Sequence, residues 1–330
     1  MAEKDKSALV TGGAGFIGSH VAQRLVALGY EVRIIDNLST GFRENVEAIG
    51  EGVDFLEGDL RDAAVCEAAV RGMDTVFHVG ALPSVPRSLR DPLGSHECNV
   101  TGTLNILEAA RRAGVRRVVY SSSSSVYGDT SVLPKTEPVE LLPKSPYAAA
   151  KLAGEHYVLA YARAGLVEGV ALRYFNVFGP RQDPNGPYAA VIPLFMRSAL
   201  TGAAVPLYGD GTQTRDFTYI DNVVEANLLA ATLPAERVSS CVVNCGAGQR
   251  TSLIELIRAI EGITGRRVTV TMQPPREGDV RDSQASLERA HAVLGYAPHV
   301  SLEDGLRQTW AWLRATSGER DAAAVLTDSR

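Results

Sequence analysis

Short β-branched runs alternate with amphipathic stretches in the first half of the chain, and this alternation limits the possible folds most narrowly. We predict strands at 8–11, 31–36, 54–57, 75–78, 117–121 and 169–174. The helices predicted between them are 19–28, 63–70, 100–113 and 146–164. Such alternation produces right-handed βαβ units and a parallel sheet covered on both faces. The sequence therefore predicts an α/β fold with a doubly wound parallel sheet.

The pattern changes after about Phe175, where proline, glycine and turn residues become frequent. Helices are predicted at 192–201, 253–264 and 302–316, and 207–214 is predicted to be a turn region. We therefore predict a first domain over residues 1–175. A smaller mixed α/β domain over 176–318 is predicted to be interleaved with it, and 319–330 to form a frayed tail.

Composition and charge exclude several classes of function. The formal net charge of -5 at pH 7 provides no basic footprint for nucleic acid or for an anionic membrane surface. No apolar stretch approaches the length of a bilayer-spanning helix, and residues 1–6 do not resemble a secretory signal. The spacing of the four cysteines indicates free thiols. We predict a cytoplasmic protein that binds no metal, nucleic acid or membrane.

A glycine-rich turn follows the first predicted strand and precedes the first predicted helix. Its residues 11–18 read TGGAGFIG, so glycines recur with the spacings GxGxxG and GxxGxxG. Glycines allow a tight turn and close approach of the backbone to a pyrophosphate, which the helix N-terminus then stabilises. This context indicates a Rossmann-type dinucleotide site.

An acidic residue, Asp36, ends the second predicted strand. A carboxylate at this place accepts hydrogen bonds from ribose hydroxyls and repels a 2′-phosphate. NAD is therefore predicted as the cofactor, and residues 1–175 as its binding domain. Asp59 and Leu60, after the third strand, are predicted to contact the adenine.

A tyrosine and a lysine four residues apart, Tyr147 and Lys151, share one face of a predicted helix. A nearby ammonium favours the phenolate form of a tyrosine, so the pair predicts a proton acceptor. The serine run 121–125 lies at the carboxyl end of the fifth strand and faces the same crevice. One of its hydroxyls can bind the substrate oxygen that Tyr147 deprotonates.

These motifs together resemble the extended short-chain dehydrogenase/reductase family and, within it, the UDP-hexose 4-epimerases. The resemblance covers nearly the whole chain. It rests on the glycine turn and on the segments 36–38 (DNL), 58–60 (GDL), 78–81 (HVGA), 99–103 (NVTGT), 121–128, 147–151 and 173–176 (RYFN). In that family the catalytic serine or threonine stands four residues before the tyrosine of the VYG segment, here Tyr127. The resemblance thus implies Ser123, Tyr147 and Lys151 as catalytic residues.

The cofactor and substrate contacts are assigned by the same motifs. The predicted cofactor contacts are Gly12, Gly15, Phe16, Ile17, Gly18, Asp36, Asn37, Ser39, Gly41, Asp59, Leu60, Val79, Gly80, Ala81, Asn99, Ser121, Tyr147, Lys151 and Tyr174. The predicted contacts to a UDP-sugar substrate are Ser84, Ser123, Asn176, Ala190, Val191, Tyr208, Arg215, Arg276, Asp279 and Ser283. The two arginines are predicted to bind the diphosphate, because a guanidinium binds phosphate oxygens bidentately.

Two positions narrow the reaction that the resemblance implies. The family's dehydratases place Asp-Glu directly after the catalytic serine or threonine, and its UDP-glucuronate decarboxylases place Glu two residues before the VYG tyrosine. Here Ser124 and Ser125 occupy these positions, which favours 4-epimerisation. Ser283 stands where epimerases limited to plain hexoses carry a bulky tyrosine, so UDP-GlcNAc and UDP-GalNAc are predicted substrates beside UDP-Glc and UDP-Gal.

Three alternatives stay open at this point. A sugar-nucleotide decarboxylase or 4,6-dehydratase would share the fold. A non-catalytic NAD sensor on the same scaffold would be expected to lose the Tyr/Lys pair.

Family resemblance further implies a homodimer through helices 94–113 and 146–164, packed as a four-helix bundle.

Overall fold

Seven parallel strands form the central sheet of the protein. The computed structural model describes residues 6–186, 189–275 and 280–327, and for 318–327 the backbone only. The strands are β1 (Ser7–Thr11), β2 (Glu31–Asp36), β3 (Val53–Glu57), β4 (Thr75–His78), β5 (Arg117–Ser123), β6 (Glu168–Tyr174), β7 (Val177–Phe178), β8 (Val205–Tyr208), β9 (Thr214–Arg215), β10 (Thr218–Tyr219), β11 (Cys241–Cys245), β12 (Thr251–Ser252) and β13 (Val270–Gln273). The central sheet has the order β11-β6-β5-β4-β1-β2-β3. The predicted doubly wound parallel sheet is confirmed.

Helices cover both faces of this sheet. They are α1 (Phe16–Ala27), α2 (Arg43–Glu47), α3 (Ala63–Val70), α4 (Val85–Arg90), α5 (Pro92–His96), α6 (Gly102–Ala113), α7 (Pro146–Arg163), α8 (Val191–Thr201), α9 (Ile220–Thr232), α10 (Ala235–Val238), α11 (Leu253–Thr264), α12 (Glu288–Leu294) and α13 (Leu302–Thr327). Neighbouring strand residues point to opposite faces, so Val10 packs in one apolar cluster with α1 and α9, and Leu9 in another with α3, α6 and α7. Strands buried on both faces explain the continuous apolar runs.

The second half of the chain completes the sheet of the first. β11 pairs in parallel with β6, from Cys241 beside Val170 to Cys245 beside Tyr174. The preceding helix α9 packs against α1 on one face of the sheet. Sequence reasoning missed both elements, because neither carries a motif. Residues within 176–318 therefore interleave with the 1–175 domain, and the boundary between the two stays a prediction.

The remaining segments differ from the predictions only in detail. Three separate two-stranded sheets pair β7 with β10, β9 with β12, and β8 with β13. The strand β8 ends at Tyr208, so it overlaps the first two residues of the predicted turn region 207–214. A widened helical turn, Glu97–Thr101, precedes α6. The final helix continues to Thr327, past its predicted end at 316, and fraying of 319–330 stays a prediction. Among the helices of the described residues, none is long and apolar enough to cross a membrane.

Candidate active site

A cavity of about 660 Å³ opens along the carboxyl edge of the sheet. This is the edge at which ligands bind in doubly wound sheets. The predicted cofactor residues that line it are Gly12, Gly15, Phe16, Ile17, Gly18, Asp36, Asn37, Ser39, Asp59, Leu60, Val79, Gly80, Ala81, Ser121, Tyr147, Lys151 and Tyr174. The predicted substrate residues Ser84, Ser123, Asn176, Ala190, Arg215 and Ser283 line the same cavity. The fold thus joins the two predicted sites into one.

The glycine turn fits a dinucleotide by its shape. Gly12 has a φ of +68°, and a Cβ there would lie 2.7 Å from the Cα of Gly80. A Cβ at Gly18 would lie 2.2 Å from the carbonyl oxygen of Gly12. Gly15 precedes α1, and no described side chain caps the first turn of this helix. Its amide groups can therefore bind a pyrophosphate.

Two carboxylates stand at the ends of β2 and β3. Asp36 accepts hydrogen bonds from the backbone N–H groups of Ala14, at 3.0 Å, and Leu38, at 2.8 Å. Burial raises the pKa of Asp36. Asn37 donates its amide N–H to Asp59 at 2.8 Å. Asp36 is thus fixed against the glycine turn with its carboxylate at the cavity wall, where a ribose can reach it.

A buried histidine, His78, connects the glycine turn to the neighbouring loop. Thr11 Oγ1 accepts from the N–H of Gly80 at 2.9 Å and shares a hydrogen bond of 2.8 Å with His78 Nδ1. Thr103 Oγ1 donates to the carbonyl oxygen of Asn99 at 2.8 Å, so it accepts from His78 Nε2 at 2.9 Å. Nε2 therefore carries a proton, and because the pKa of His78 is lowered to about 3 the imidazole is neutral at pH 7, with Nδ1 as an acceptor.

The pH dependence of stability is expected to reflect this neutral imidazole. Burial, and next the charge of Lys151, lower the pKa of His78 from 6.5 to about 3. The unfolded chain therefore binds the proton more tightly, and stability falls as the pH drops from 6.5 towards 3. Between pH 7 and pH 4.5 the His78 contribution to this loss is about 2.5 kcal/mol. Urea unfolding at both pH values measures it.

A matched pair of variants isolates the His78 contribution. His78→Gln is expected to remove about 2.5 kcal/mol from the difference in stability between the two pH values. His291→Gln, at an exposed histidine on α12, is expected to keep the wild-type difference. An unchanged difference in His78→Gln would contradict the assignment of a neutral imidazole.

The three predicted catalytic residues line one cavity from two elements. Tyr147 and Lys151 lie in the first turns of α7, which Ser145 caps by accepting from the N–H of Ala148 at 3.1 Å. Ser123 ends β5, and its Oγ accepts from the Oγ of Ser125 at 2.9 Å. A strand end and a helix start therefore place a hydroxyl, a phenol and an amine together.

Burial has the largest effect on the pKa values of Tyr147 and Lys151. It raises the pKa of Tyr147, while a hydrogen bond from Ser123 acts in the opposite direction. It also lowers the pKa of Lys151 to about 7. The Lys151 ammonium lies 4.7 Å from the ring centroid of Tyr120, whose hydroxyl donates to the Lys151 carbonyl at 3.2 Å. This differs from the sequence prediction that Lys151 lowers the tyrosine pKa, because desolvation of both groups is the larger effect.

A second cavity, of about 220 Å³, adjoins the first. Asn176, Ala190 and Arg215 line both, whereas Val191 and Tyr208 line the second only. The Arg215 guanidinium donates to the carbonyl oxygens of Thr214 and Arg281, at 2.9 and 2.8 Å, which fixes its direction. The predicted substrate contacts Arg276 and Asp279 lie outside the described residues.

Two predicted cofactor residues, Gly41 and Asn99, do not line the cavity. The amide of Asn99 accepts from the N–H of Leu82 at 2.7 Å and donates to its carbonyl oxygen at 3.1 Å. A Cβ at Gly41 would lie 2.8 Å from the Ala14 carbonyl carbon. These residues therefore shape the loops around the site, and their direct contact with the cofactor stays a prediction.

The structure also places residues at the cavity that sequence reasoning missed. Lys135, Lys144, Gln182 and Asp183 line its wall. They lie in irregular segments without a motif, so no spacing signals them. Lys135 reaches the site through a parallel bridge to Ala285, a contact between residues 150 positions apart. Among the described residues, no group of three or more His, Cys, Asp and Glu could hold a metal ion.

A glycine turn, a ribose-directed carboxylate and a buried Tyr–Lys pair in one cavity define an NAD-dependent α/β enzyme. Comparison with known proteins agrees. Residues 8–246 match the NAD dependent epimerase/dehydratase family. The chain belongs to this family. The predictions of the family, the sheet and NAD as cofactor are thereby confirmed.

Three relatives are similar over nearly their whole length. The UDP-glucose 4-epimerase of Mycolicibacterium smegmatis is 40% identical, covering 94% of this chain and 99% of its own. The crystal structure of UDP-glucose 4-epimerase from Thermotoga maritima, with UDP-glucose, is 39% identical with a TM-score of 0.89 and covers 94% and 99%. UDP-N-acetylglucosamine 4-epimerase from Methanobrevibacter ruminantium, in complex with UDP-N-acetylmuramic acid, is 38% identical with a TM-score of 0.88 and covers 95% and 100%.

Proposed function

We propose that this protein is a UDP-hexose 4-epimerase that inverts the hydroxyl at C4 through a 4-keto intermediate. The observation that supports this most is the common cavity of the glycine turn and of Ser123, Tyr147 and Lys151. A 4-epimerase needs a proton acceptor beside its cofactor site, and this arrangement would supply one. The similar proteins named above supply the substrate class.

The proposed chemistry needs one proton acceptor and one hydride acceptor. Tyr147, as the phenolate, takes the proton of the 4-hydroxyl, and Ser123 donates a hydrogen bond to the same oxygen. The positive charges of Lys151 and of the nicotinamide ring of bound NAD would oppose the effect of burial on the Tyr147 pKa and favour this phenolate. The glycine turn and Asp36 would hold NAD, which would supply the acceptor for the hydride from C4 and the donor for its return. The 4-keto sugar turns about its link to the diphosphate between the two transfers, so the hydride reaches the opposite face. Tyr147 then returns the proton, and no net oxidation occurs.

The second cavity suits the nucleotide part of the substrate. Arg215 stands between both cavities, where its guanidinium can bind the diphosphate bidentately. Asn176 shares this position, and Tyr208 lies further along the second cavity. A sugar at Tyr147 and a uridine beside Tyr208 can therefore be bridged by a diphosphate at Arg215.

The residues after Ser123 disfavour the dehydratase and decarboxylase alternatives. Both Ser124 and Ser125 line the cavity, and the Ser125 hydroxyl donates to Ser123. A serine hydroxyl is neither a strong acid nor a strong base near pH 7, so elimination of water lacks its catalyst. The retained Ser123, Tyr147 and Lys151 likewise disfavour a non-catalytic NAD sensor.

Incubation of the purified protein with UDP-glucose or UDP-GlcNAc, without added NAD, tests the proposal. Chromatography is expected to separate the 4-epimer of each, because the cofactor is regenerated in every turnover. Mass spectrometry distinguishes an epimer of equal mass from loss of water or CO₂. Absence of both epimers from protein that carries NAD would overturn the proposal.

We propose that Ser283 provides the room for an N-acetyl group. It is 5% exposed, lines the cavity, and its N–H donates to the Thr214 carbonyl at 3.1 Å. In Ser283→Tyr, kcat/KM for UDP-GlcNAc is expected to fall roughly 100-fold, with UDP-glucose changed less than about threefold. Coupled assays with both substrates measure this ratio. Equal effects on the two substrates would contradict the assignment.

We propose a homodimer through the helical segments 94–113 and 146–164, and exposed apolar side chains on and directly beside these segments support it. Leu93 is 76% exposed and Tyr157 39% exposed, although both are large and apolar. Light scattering after size exclusion is expected to give twice the chain mass, and Leu93→Glu to lower it. The cytoplasmic location stays a prediction.

A further inference from the structure

The ammonium of Lys151 is buried without a charged partner in the protein. The residue is 3% exposed. Among residues 6–186, 189–275 and 280–327, no carboxylate forms an ion pair with its Nζ, and no oxygen accepts a hydrogen bond from it. Burial lowers its pKa to about 7. A buried cation without a partner gives up its proton unless its surroundings stabilise the charge in another way.

The aromatic ring of Tyr120 lies against this ammonium. Nζ of Lys151 is 4.7 Å from the centroid of the ring, which is within the range of a cation–π contact. Tyr120 is part of β5 and is fully buried, so the contact is shielded from solvent. The face of an aromatic ring carries a negative potential, and its attraction for a cation is stronger where both are desolvated.

The ring of Tyr120 is held in this place from two sides. Its hydroxyl donates to the carbonyl oxygen of Lys151 at 3.2 Å. A Cβ at Gly154, one turn further along α7, would lie 2.3 Å from the same hydroxyl. Glycine inside a helix is destabilising relative to alanine, and here its missing side chain makes room for the ring. On the other side, the imidazole of His78 lies 5.6 Å from the ring, measured between centroids.

We propose that Tyr120 is a positioning residue whose ring face keeps the Lys151 ammonium charged and thereby keeps Tyr147 in the form that accepts the proton. The inference rests on the proposed 4-epimerase function. Tyr120 does not line the cavity, so it acts through Lys151. Phenolate with ammonium and phenol with amine hold the same number of protons and differ only in where one of them lies. Stabilisation of the ammonium therefore favours the phenolate.

The other polar groups that face the Tyr120 ring come from three elements. His78, on β4, has a pKa lowered to about 3 by burial and is neutral well above that pH. Glu155, on α7, forms its ion pair with Arg173. Thr103, on α6, contributes a hydroxyl, which does not titrate. Burial raises the pKa of Tyr120 itself, so its phenol stays neutral. The catalytic pair on α7 is therefore the part of this cluster that titrates near neutral pH.

The first test compares kcat for UDP-glucose at pH 5.5 and pH 8 in the wild type and in Tyr120→Leu. Loss of the ring face is expected to lower the pKa of Lys151 by about one unit. At pH 5.5 Lys151 is charged in both proteins, so kcat should agree within about twofold. At pH 8 the variant should be roughly tenfold slower, because fewer molecules keep the ammonium. A merely structural role would lower kcat by the same factor at both pH values.

Two further variants are the controls for this comparison. Tyr120→Phe keeps the ring face and removes only the hydroxyl, so it is expected to retain most of the wild-type kcat at both pH values. Phe77→Leu replaces another fully buried aromatic residue, on β4, whose side chain packs in the apolar cluster on the opposite face of the sheet. Any effect of Phe77→Leu on kcat is expected to be the same at pH 5.5 and pH 8.

A change that keeps the shape of the ring separates its electrostatic effect from its packing. Incorporation of 3,4,5-trifluorophenylalanine at position 120 withdraws charge from the ring face, and Tyr120→Phe is its reference. Relative to that reference, kcat is expected to fall at pH 8 and to stay the same at pH 5.5. The free energy of unfolding in urea is expected to be lower at pH 5.5, where a charged Lys151 is buried, and equal at pH 8, where Lys151 is largely neutral.

The outcomes distinguish this inference from the proposed function. Equal losses of kcat at both pH values in Tyr120→Leu would overturn the inference and leave the proposed function standing. A trifluorinated protein that matches Tyr120→Phe in kcat and in stability would overturn it too, and this comparison decides if Tyr120→Leu fails to fold. Turnover of neither UDP-glucose nor UDP-GlcNAc by the wild type would be a failure of the proposed function. The urea comparison needs no substrate, so it would then still show whether the ring stabilises the ammonium.

Discussion

Replacement of Tyr147 by phenylalanine is expected to lower kcat for UDP-glucose by roughly 10³-fold, because general acid–base catalysis contributes about 10²- to 10⁴-fold. The variant keeps the ring in its buried place and removes only the hydroxyl that takes the proton from the substrate. Its NAD content is expected to equal that of the wild type, since the glycine turn and Asp36 are untouched. A coupled assay of UDP-galactose formation measures kcat. The absorbance of NAD released from the denatured protein measures the NAD content.

A second tyrosine serves as the matched control. Tyr219 is buried away from the cavity, and its hydroxyl donates to the Gln308 side chain at 3.0 Å. Tyr219→Phe removes one buried hydroxyl as well, and kcat is expected to stay within about threefold. A Tyr147→Phe enzyme that kept a tenth or more of wild-type kcat would exclude this phenol as the proton acceptor.

Neutralisation of Glu155 is expected to destabilise the fold by about 3–5 kcal/mol, the cost of leaving one charge of a buried pair without its partner. Glu155 lies on α7 one turn beyond Lys151, and its side chain is 1% exposed. It accepts from Arg173 at 2.7 and 3.0 Å and from the Ser122 hydroxyl at 2.6 Å. The network connects the catalytic helix to β5 and β6.

Urea unfolding of Glu155→Gln measures this cost. Two further variants serve as comparisons. The double variant Glu155→Leu with Arg173→Met removes both charges and is expected to be more stable than the single variant. Arg307→Met breaks an exposed pair with Glu303 and is expected to change stability by about 0.5 kcal/mol or less. A Glu155→Gln protein within about 1 kcal/mol of the wild type would contradict the expectation.

The local order of strands, turns and helices followed from the sequence alone. The periodicity of apolar residues and the enrichment of β-branched side chains predicted six strands, and each predicted end lies within two residues of the observed one. The glycines at 12, 15 and 18 indicated a dinucleotide turn, because only glycine avoids the backbone contacts found there. Four-residue spacing on α7 set Tyr147 and Lys151 on one face. These are short-range features, so the residues that decide them are neighbours in the chain.

Contacts between distant residues were decided only by the tertiary structure. β11 joins the sheet because it fits the free edge of β6, and its own sequence does not specify that neighbour. The bridge from Lys135 to Ala285 brings a lysine to the wall of the cavity. Burial then reverses the expected direction of the Tyr147 pKa. The desolvation of a side chain depends on all the residues that pack around it. These residues come from distant parts of the chain, so no single segment of the sequence determines the pKa shift.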